Sequence, residues 1–173
     1  MKPLFRWTVG ESVSKEGLKC LSHSIFLLKK NYGDSYDYFI CHNGDNVKSC
    51  NFTGVNFIDQ RNHVKSLSVK PHSTAWKLYP PRIRLNSHEI FLDNDLIIYN
   101  ILPIIDRFIN EKDIFFCTQA YKRNYGNYDS KILKNQNLNT GLFGIPPFFD
   151  FAKNIESRLI GRIIEFFGNN ILL

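Results

Sequence analysis

Apolar positions along the chain fall into short blocks that alternate between two spacings. Residues 4–9 read as a first strand. Gly10-Glu11-Ser12-Val13-Ser14 follows as a turn, with Ser14 placed to cap a helix. Leu18, Leu21, Ile25 and Leu28 then recur at helical spacing until Asn31-Tyr32-Gly33-Asp34-Ser35 interrupts them. Residues 36–41 read as a second strand closed by His42-Asn43-Gly44-Asp45, and residues 55–58 as a short third. Residues 73–79 suit a helical turn or two, stopped by Pro80-Pro81. Residues 89–92 give another strand, and 102–109 an amphipathic helix with Pro103 in its first turn. Residues 113–118 and 138–145 read as strands, 120–134 as a polar, Tyr- and Lys-rich mobile loop, and 151–167 as a final helix.

Strands alternating with helices predict an α/β fold: a mostly parallel central sheet flanked by helices. Such sheets bind ligands beyond the carboxyl ends of their strands. The polar groups at those ends are therefore the first candidates: His42-Asn43, Thr118-Gln119 and, above all, Asp93-Asn94-Asp95. The apolar run Ile90-Phe91-Leu92 leads straight into the two aspartates, and Leu96-Ile97-Ile98 follows them. In extended chain, residues i and i+2 share a face, so Asp93 and Asp95 would project together. Two carboxylates so close repel unless a positive charge lies with them. A hard divalent cation, Mg²⁺ or Mn²⁺, suits those oxygens. Asp-Asn-Asp is also good turn chemistry, so a plain turn is the competing reading.

Composition narrows the class. With 173 residues, 43% hydrophobic and 22% charged, the chain is one globular domain with room for a core, not a disordered segment. A net charge of +6 suits phosphorylated ligands, nucleic acid or an anionic membrane surface without choosing among them. No stretch is apolar enough over bilayer length to span a membrane, and the first residues lack the apolar core of a signal peptide, so a cytoplasmic location is expected. Cys20, Cys41, Cys50 and Cys117 lack paired metal spacing and read as reduced thiols.

Taken together, several segments resemble the GT-A-fold, nucleotide-sugar-dependent glycosyltransferases. These are the opening strand and helix with Ser24-Ile25, the Tyr-Asp-Tyr-Phe-Ile-Cys-His-Asn stretch from Tyr36 to Asn43, and Ala75-Trp76-Lys77-Leu78 with Pro81-Arg82. After them come Asp93-Asn94-Asp95, similar to the DxD element of that family, and Leu138-Asn139-Thr140-Gly141-Leu142-Phe143-Gly144, similar to its Asn-Ser/Ala-Gly strand beside the donor sugar. The resemblance covers roughly residues 3–150.

It implies transfer of a sugar from a nucleotide-diphosphate donor to a glycan, lipid or protein acceptor. Mn²⁺ or Mg²⁺ would neutralise charge on the leaving phosphates. Asp95 would bind the metal, and Asp93 the metal or the ribose. Asn94 would belong to the same element. Lys77, Arg82 or Arg84 would meet phosphate, Arg by its fork of donors. Asn139, on the strand with Gly141, would bond the transferred sugar. The end of the first strand, Trp7 and Val9 included, would lie beside the base. Family members usually continue beyond the final helix with acceptor-binding sequence, so the expectation is a single domain, 1–173, short of that part. A non-catalytic copy that only binds donor is the alternative. Peripheral attachment at the cytoplasmic membrane face is compatible with the charge. A nucleic-acid-binding domain, suggested by the charge and by Tyr121-Lys122-Arg123-Asn124-Tyr125, ranks below both, because no such motif is present.

Overall fold

The structure, a computed structural model, describes residues 1–65, 71, 73–111, 115–118 and 139–150. Its centre is a six-stranded sheet in the order β3-β2-β1-β4-β6-β5. The strands are β1 (Leu4–Val9), β2 (Asp37–His42), β3 (Asn56–Asp59), β4 (Glu89–Leu92), β5 (Phe116–Thr118) and β6 (Asn139–Ile145). The first four run parallel, and β6 lies antiparallel between β4 and β5. The mostly parallel α/β reading is correct, with the limits of β1 to β4 and β6 moved by at most a residue; of the strand expected over 113–118, residues 116–118 are β5, and 113–114 lie outside the described residues.

Helix α1 (Lys15–Tyr32) forms where the spacing placed it. Ser14 Oγ accepts the Gly17 N–H at 3.0 Å, and Glu16 sits in the first turn with Lys29 and Lys30 in the last, each complementing the helix dipole. Gly33 ends it at φ 56°, where a side chain would be strained. Leu21, Ser24, Ile25, Leu28 and Tyr32 face the sheet. They meet Phe5, Trp7 and Val9 of β1, Tyr38 and Ile40 of β2 and Ile90 and Leu92 of β4 in the main core. Ile105 and Phe108 of α2 (Pro103–Asn110) extend that core on the same side.

The opposite face is covered differently. Leu78, Phe91, Phe143 and Ile145 form a smaller apolar cluster beneath the segment that follows the 3-10 helix Ser73–Leu78. Between them lies Arg6, only 1% exposed, with its guanidinium 4.4 Å above the Phe91 ring. Leu96, Ile97 and Ile98 form no strand; Ile98 packs into the main core after the turn at Asp93. The expected loop 120–134, the final helix 151–167 and Leu138 lie outside the described residues.

Candidate functional site

Four parallel strands end at one edge: β1 at Val9, β2 at His42, β3 at Asp59 and β4 at Leu92. Antiparallel β6 brings its own beginning, Asn139–Gly141, to that edge. Asp93 leaves β4 there. Its N–H donates to Gly141 O at 2.8 Å, and its C=O accepts the Leu96 N–H at 3.2 Å, closing a turn. Asp-Asn-Asp is thus a turn, and the turn presents its carboxylates at the carboxyl edge. Asp95 is exposed, and the Asp93 side chain is one-third exposed with the Lys77 ammonium on its Oδ1. The Asn94 amide lies close to the first turn of α1: a β-carbon added to Gly17 would meet Asn94 Nδ2 at 3.4 Å. Asp93, Asn94, Lys77 and Gly141, with the amino end of α1, are therefore neighbours. The backbone of Asn139 is at the same edge, opposite Thr118 of β5.

Arg82 and Arg84 are not among them. The Arg84 guanidinium pairs with Asp37 at the amino end of β2. Arg82 donates to Pro146 O at 2.9 Å, Phe149 O at 2.7 Å and Ser87 O at 2.5 Å, and its Nε stands 3.1 Å from Glu89 at the amino end of β4. Both sit at the far edge of the sheet, about four residues or roughly 13 Å of strand from Asp93. Trp7 and Val9 also point elsewhere. Both side chains are buried toward α1, and the Trp7 indole donates to Ser24 Oγ at 3.3 Å. Period-2 alternation sends residues 5, 7 and 9 into the core, so neither side chain lies open to a base.

Other polar groups gather at this edge, among them the His42-Asn43 pair expected there and a cluster around Asp59 that was not. Asn43, 8% exposed, donates its N–H to Val9 O at 3.3 Å, and its Oδ1 has no hydrogen-bond partner among the described residues. The loops after β1 and β2 press together: a β-carbon on Gly44 would come within 2.5 Å of Glu11 Cα, and Asn46 donates to Glu11 O at 2.8 Å. His42 is buried at the end of β2, and its Nδ1–H donates to Gly44 O at 2.7 Å. At the end of β3, Arg61 grips both Asp59 oxygens at 2.8 and 2.6 Å and reaches Asp45 at 2.9 Å. The Arg61 bonds to Asp59 hold its carboxyl down to about 2, against the opposing effect of burial. An Asp-x-Arg pair just past an apolar run was the available signal for this cluster.

Fit to a divalent cation follows from the donor set. Among the described residues no group of three or more His, Cys, Asp or Glu side chains could hold a metal unaided. Two carboxylates on one turn suit an ion that keeps waters and takes its remaining ligands from phosphate, the usual habit of Mg²⁺.

The fold is similar to that of two solved glycosyltransferases. The galactosyltransferase LgtC, solved with donor and acceptor sugar analogues, superposes at a TM-score of 0.57 with 10% identity over 90% of this chain and 63% of its own. The glycosyltransferase GlyE of Streptococcus pneumoniae TIGR4 gives 0.50 at 12% identity, over 92% of this chain and 36% of its own. The apo form of GlyE gives 0.54 at 10% identity over 99% and 41%. The chain thus spans less than two thirds of the length of these enzymes. No family model matches it, and neither does any curated protein sequence.

Proposed function

We propose that this chain is a glycosyltransferase domain, 1–173, whose carboxyl edge binds a nucleotide-diphosphate sugar with Mn²⁺ or Mg²⁺. The observation that carries the reading is the turn Asp93-Asn94-Asp95 at the edge of β4, between the amino end of α1 and the start of β6. Asp95 and Asp93 would hold the metal, which when bound supplies Lewis-acid neutralisation of the departing diphosphate. Lys77 supplies a fixed positive charge beside the same carboxylate. The amino end of α1 adds its partial positive charge, suited to phosphate. Asn94, Gly141 and Asn139 would line the donor beside them. The orphan Asn43 Oδ1 is an acceptor seeking a donor N–H or O–H at this edge. Arg82 and Arg84 drop out of the phosphate set, and Trp7 and Val9 serve the base side only through backbone.

A glycan, lipid or protein acceptor belongs to the same proposal. Among the described residues no helix is long and apolar enough to cross a membrane. Cytoplasmic residence, and attachment at a membrane face through the +6 charge, remain part of the proposal.

Calorimetric titration of UDP and of GDP, with and without Mn²⁺, tests the site. Binding should require metal and fall at least tenfold in Asp95→Ala. Equal affinity in that variant would refute the assignment. Metal-dependent binding with no turnover of any donor would assign the chain to the non-catalytic alternative.

A further inference from the structure

Residues 79–84 belong to no helix or strand, yet with Lys77 and Leu78 ahead of them they cross the sheet face opposite α1. At the carboxyl edge Lys77 rests on Asp93; at the amino edge Arg84 rests on Asp37. Between those ends, buried side chains answer the backbone. Gln60, with no exposed surface, donates from Nε2 to Trp76 O at 2.6 Å and Tyr79 O at 2.5 Å. Arg6 donates to Pro80 O at 2.9 Å and Tyr79 O at 3.2 Å. Glu89 Oε1 accepts the N–H groups of Ile83 at 2.7 Å and Arg84 at 2.8 Å, while its Oε2 stands 3.2 Å from Arg6 Nη1. Both members of that ion pair are fully buried.

A buried ion pair is a poor source of stability, because desolvation offsets the attraction and an apolar pair of equal volume serves as well. What it supplies here is direction: four backbone groups of one strap are fixed by two side chains rooted in β1 and β4. The 3-10 helix carrying Lys77 has little intrinsic preference for its pose. Its position comes from Leu78 in the small apolar cluster, from the Gln60 bond to Trp76 O and from the polar bonds just beyond it.

We propose that the Arg6–Glu89 pair is a positioning element for the donor site, fixing the strap so that Lys77 is seated on Asp93 before a donor arrives. This rests on reading Asp93 and Lys77 as donor-site residues. A cation already in place needs no reorganisation when phosphate binds.

A double-mutant cycle on UDP–Mn²⁺ affinity tests it, using Lys77→Met, Glu89→Gln and the double variant, with urea stability measured on each. Each single change should weaken binding about tenfold, and the double should be no worse than about threefold beyond either single. Arg6→Lys keeps the buried charge but loses the fork to Tyr79 and Pro80; it serves where Glu89→Gln does not fold, and should behave the same way. Losses that multiply to about a hundredfold, or a folded Glu89→Gln that binds like the native chain, would overturn the proposal while leaving the donor site intact. Absence of nucleotide binding in the native chain would remove the donor site and this inference with it.

Discussion

At the scale of single residues, position along the chain and position in space part company near β4. A residue a few places ahead of a strand lies at its amino edge, while one just past it lies at its carboxyl edge. Arg82 and Arg84 were drawn to Asp93 by nearness in sequence, and that nearness is what separates them. Lys77, farther away in sequence, reaches Asp93 because the strap runs the length of the sheet face. Arg84→Gln should therefore leave UDP–Mn²⁺ affinity within twofold of native, as read by the same calorimetry. It should cost under about 1 kcal/mol in urea denaturation, since the Arg84–Asp37 pair is partly solvated. Asp59 gives a pH signature. Its folded pKa is lowered to about 2 from an ordinary 3.8, so its contribution is present above about pH 4 and is lost as pH falls toward 2. The urea midpoint of Asp59→Asn should fall less steeply than that of the native chain between pH 4 and 2.5; parallel curves would mean that the Arg61 grip contributes nothing in solution.

At the scale of elements, periodicity revealed most of what the structure contains. α1 and α2 were legible because their apolar faces repeat at helical spacing and because Ser14, Gly33 and Pro103 mark their ends. β1 was legible as a strand, and Phe5, Trp7 and Val9 alternate with Arg6 and Thr8, but the burial of both faces was not legible: nothing in the run says that Arg6 is covered by the strap. The buried ion pair was invisible for a related reason: Arg6 and Glu89 are 83 residues apart, and no local pattern links them. The reversal of β6 was equally hidden, since a strand's sequence carries no direction. Its glycines do carry meaning. A β-carbon on Gly144 would come within 2.8 Å of Phe108 Cζ and closer still to the Phe116 ring, both packed in the core. Gly144→Ala should cost about 1–3 kcal/mol by overpacking, measured as a shift in urea midpoint; a neutral result would mean the rings move aside freely.

At the scale of the whole molecule, the two edges of the sheet do different work. The amino edge satisfies its charges internally, through Arg82 with Glu89 and Arg84 with Asp37. The carboxyl edge holds an exposed Asp95, an orphan Asn43 acceptor and loops pressed together at Gly44. That asymmetry was legible in outline, because parallel strands gather their carboxyl ends on one side. The same architecture recurs in LgtC and GlyE at 10–12% identity, where individual positions carry little of the likeness. Chemistry at the edge must therefore be argued from these residues, and fold alone does not decide it.

The insertion of β6 between β4 and β5 gives the site a place in time. As the chain leaves the ribosome, β1 to β4 can pair in parallel as soon as Leu92 has emerged, but the outer side of β4 then presents Glu89–Leu92 with nothing against it. The strand that covers this edge, and that supplies the carbonyl bonded to the Asp93 amide, is made some fifty residues later. An apolar open edge is also where foreign strands add. The bond that shapes the aspartate turn and the pairing that closes the sheet are thus formed by one late arrival, and a nascent chain cannot acquire the first before it is protected by the second.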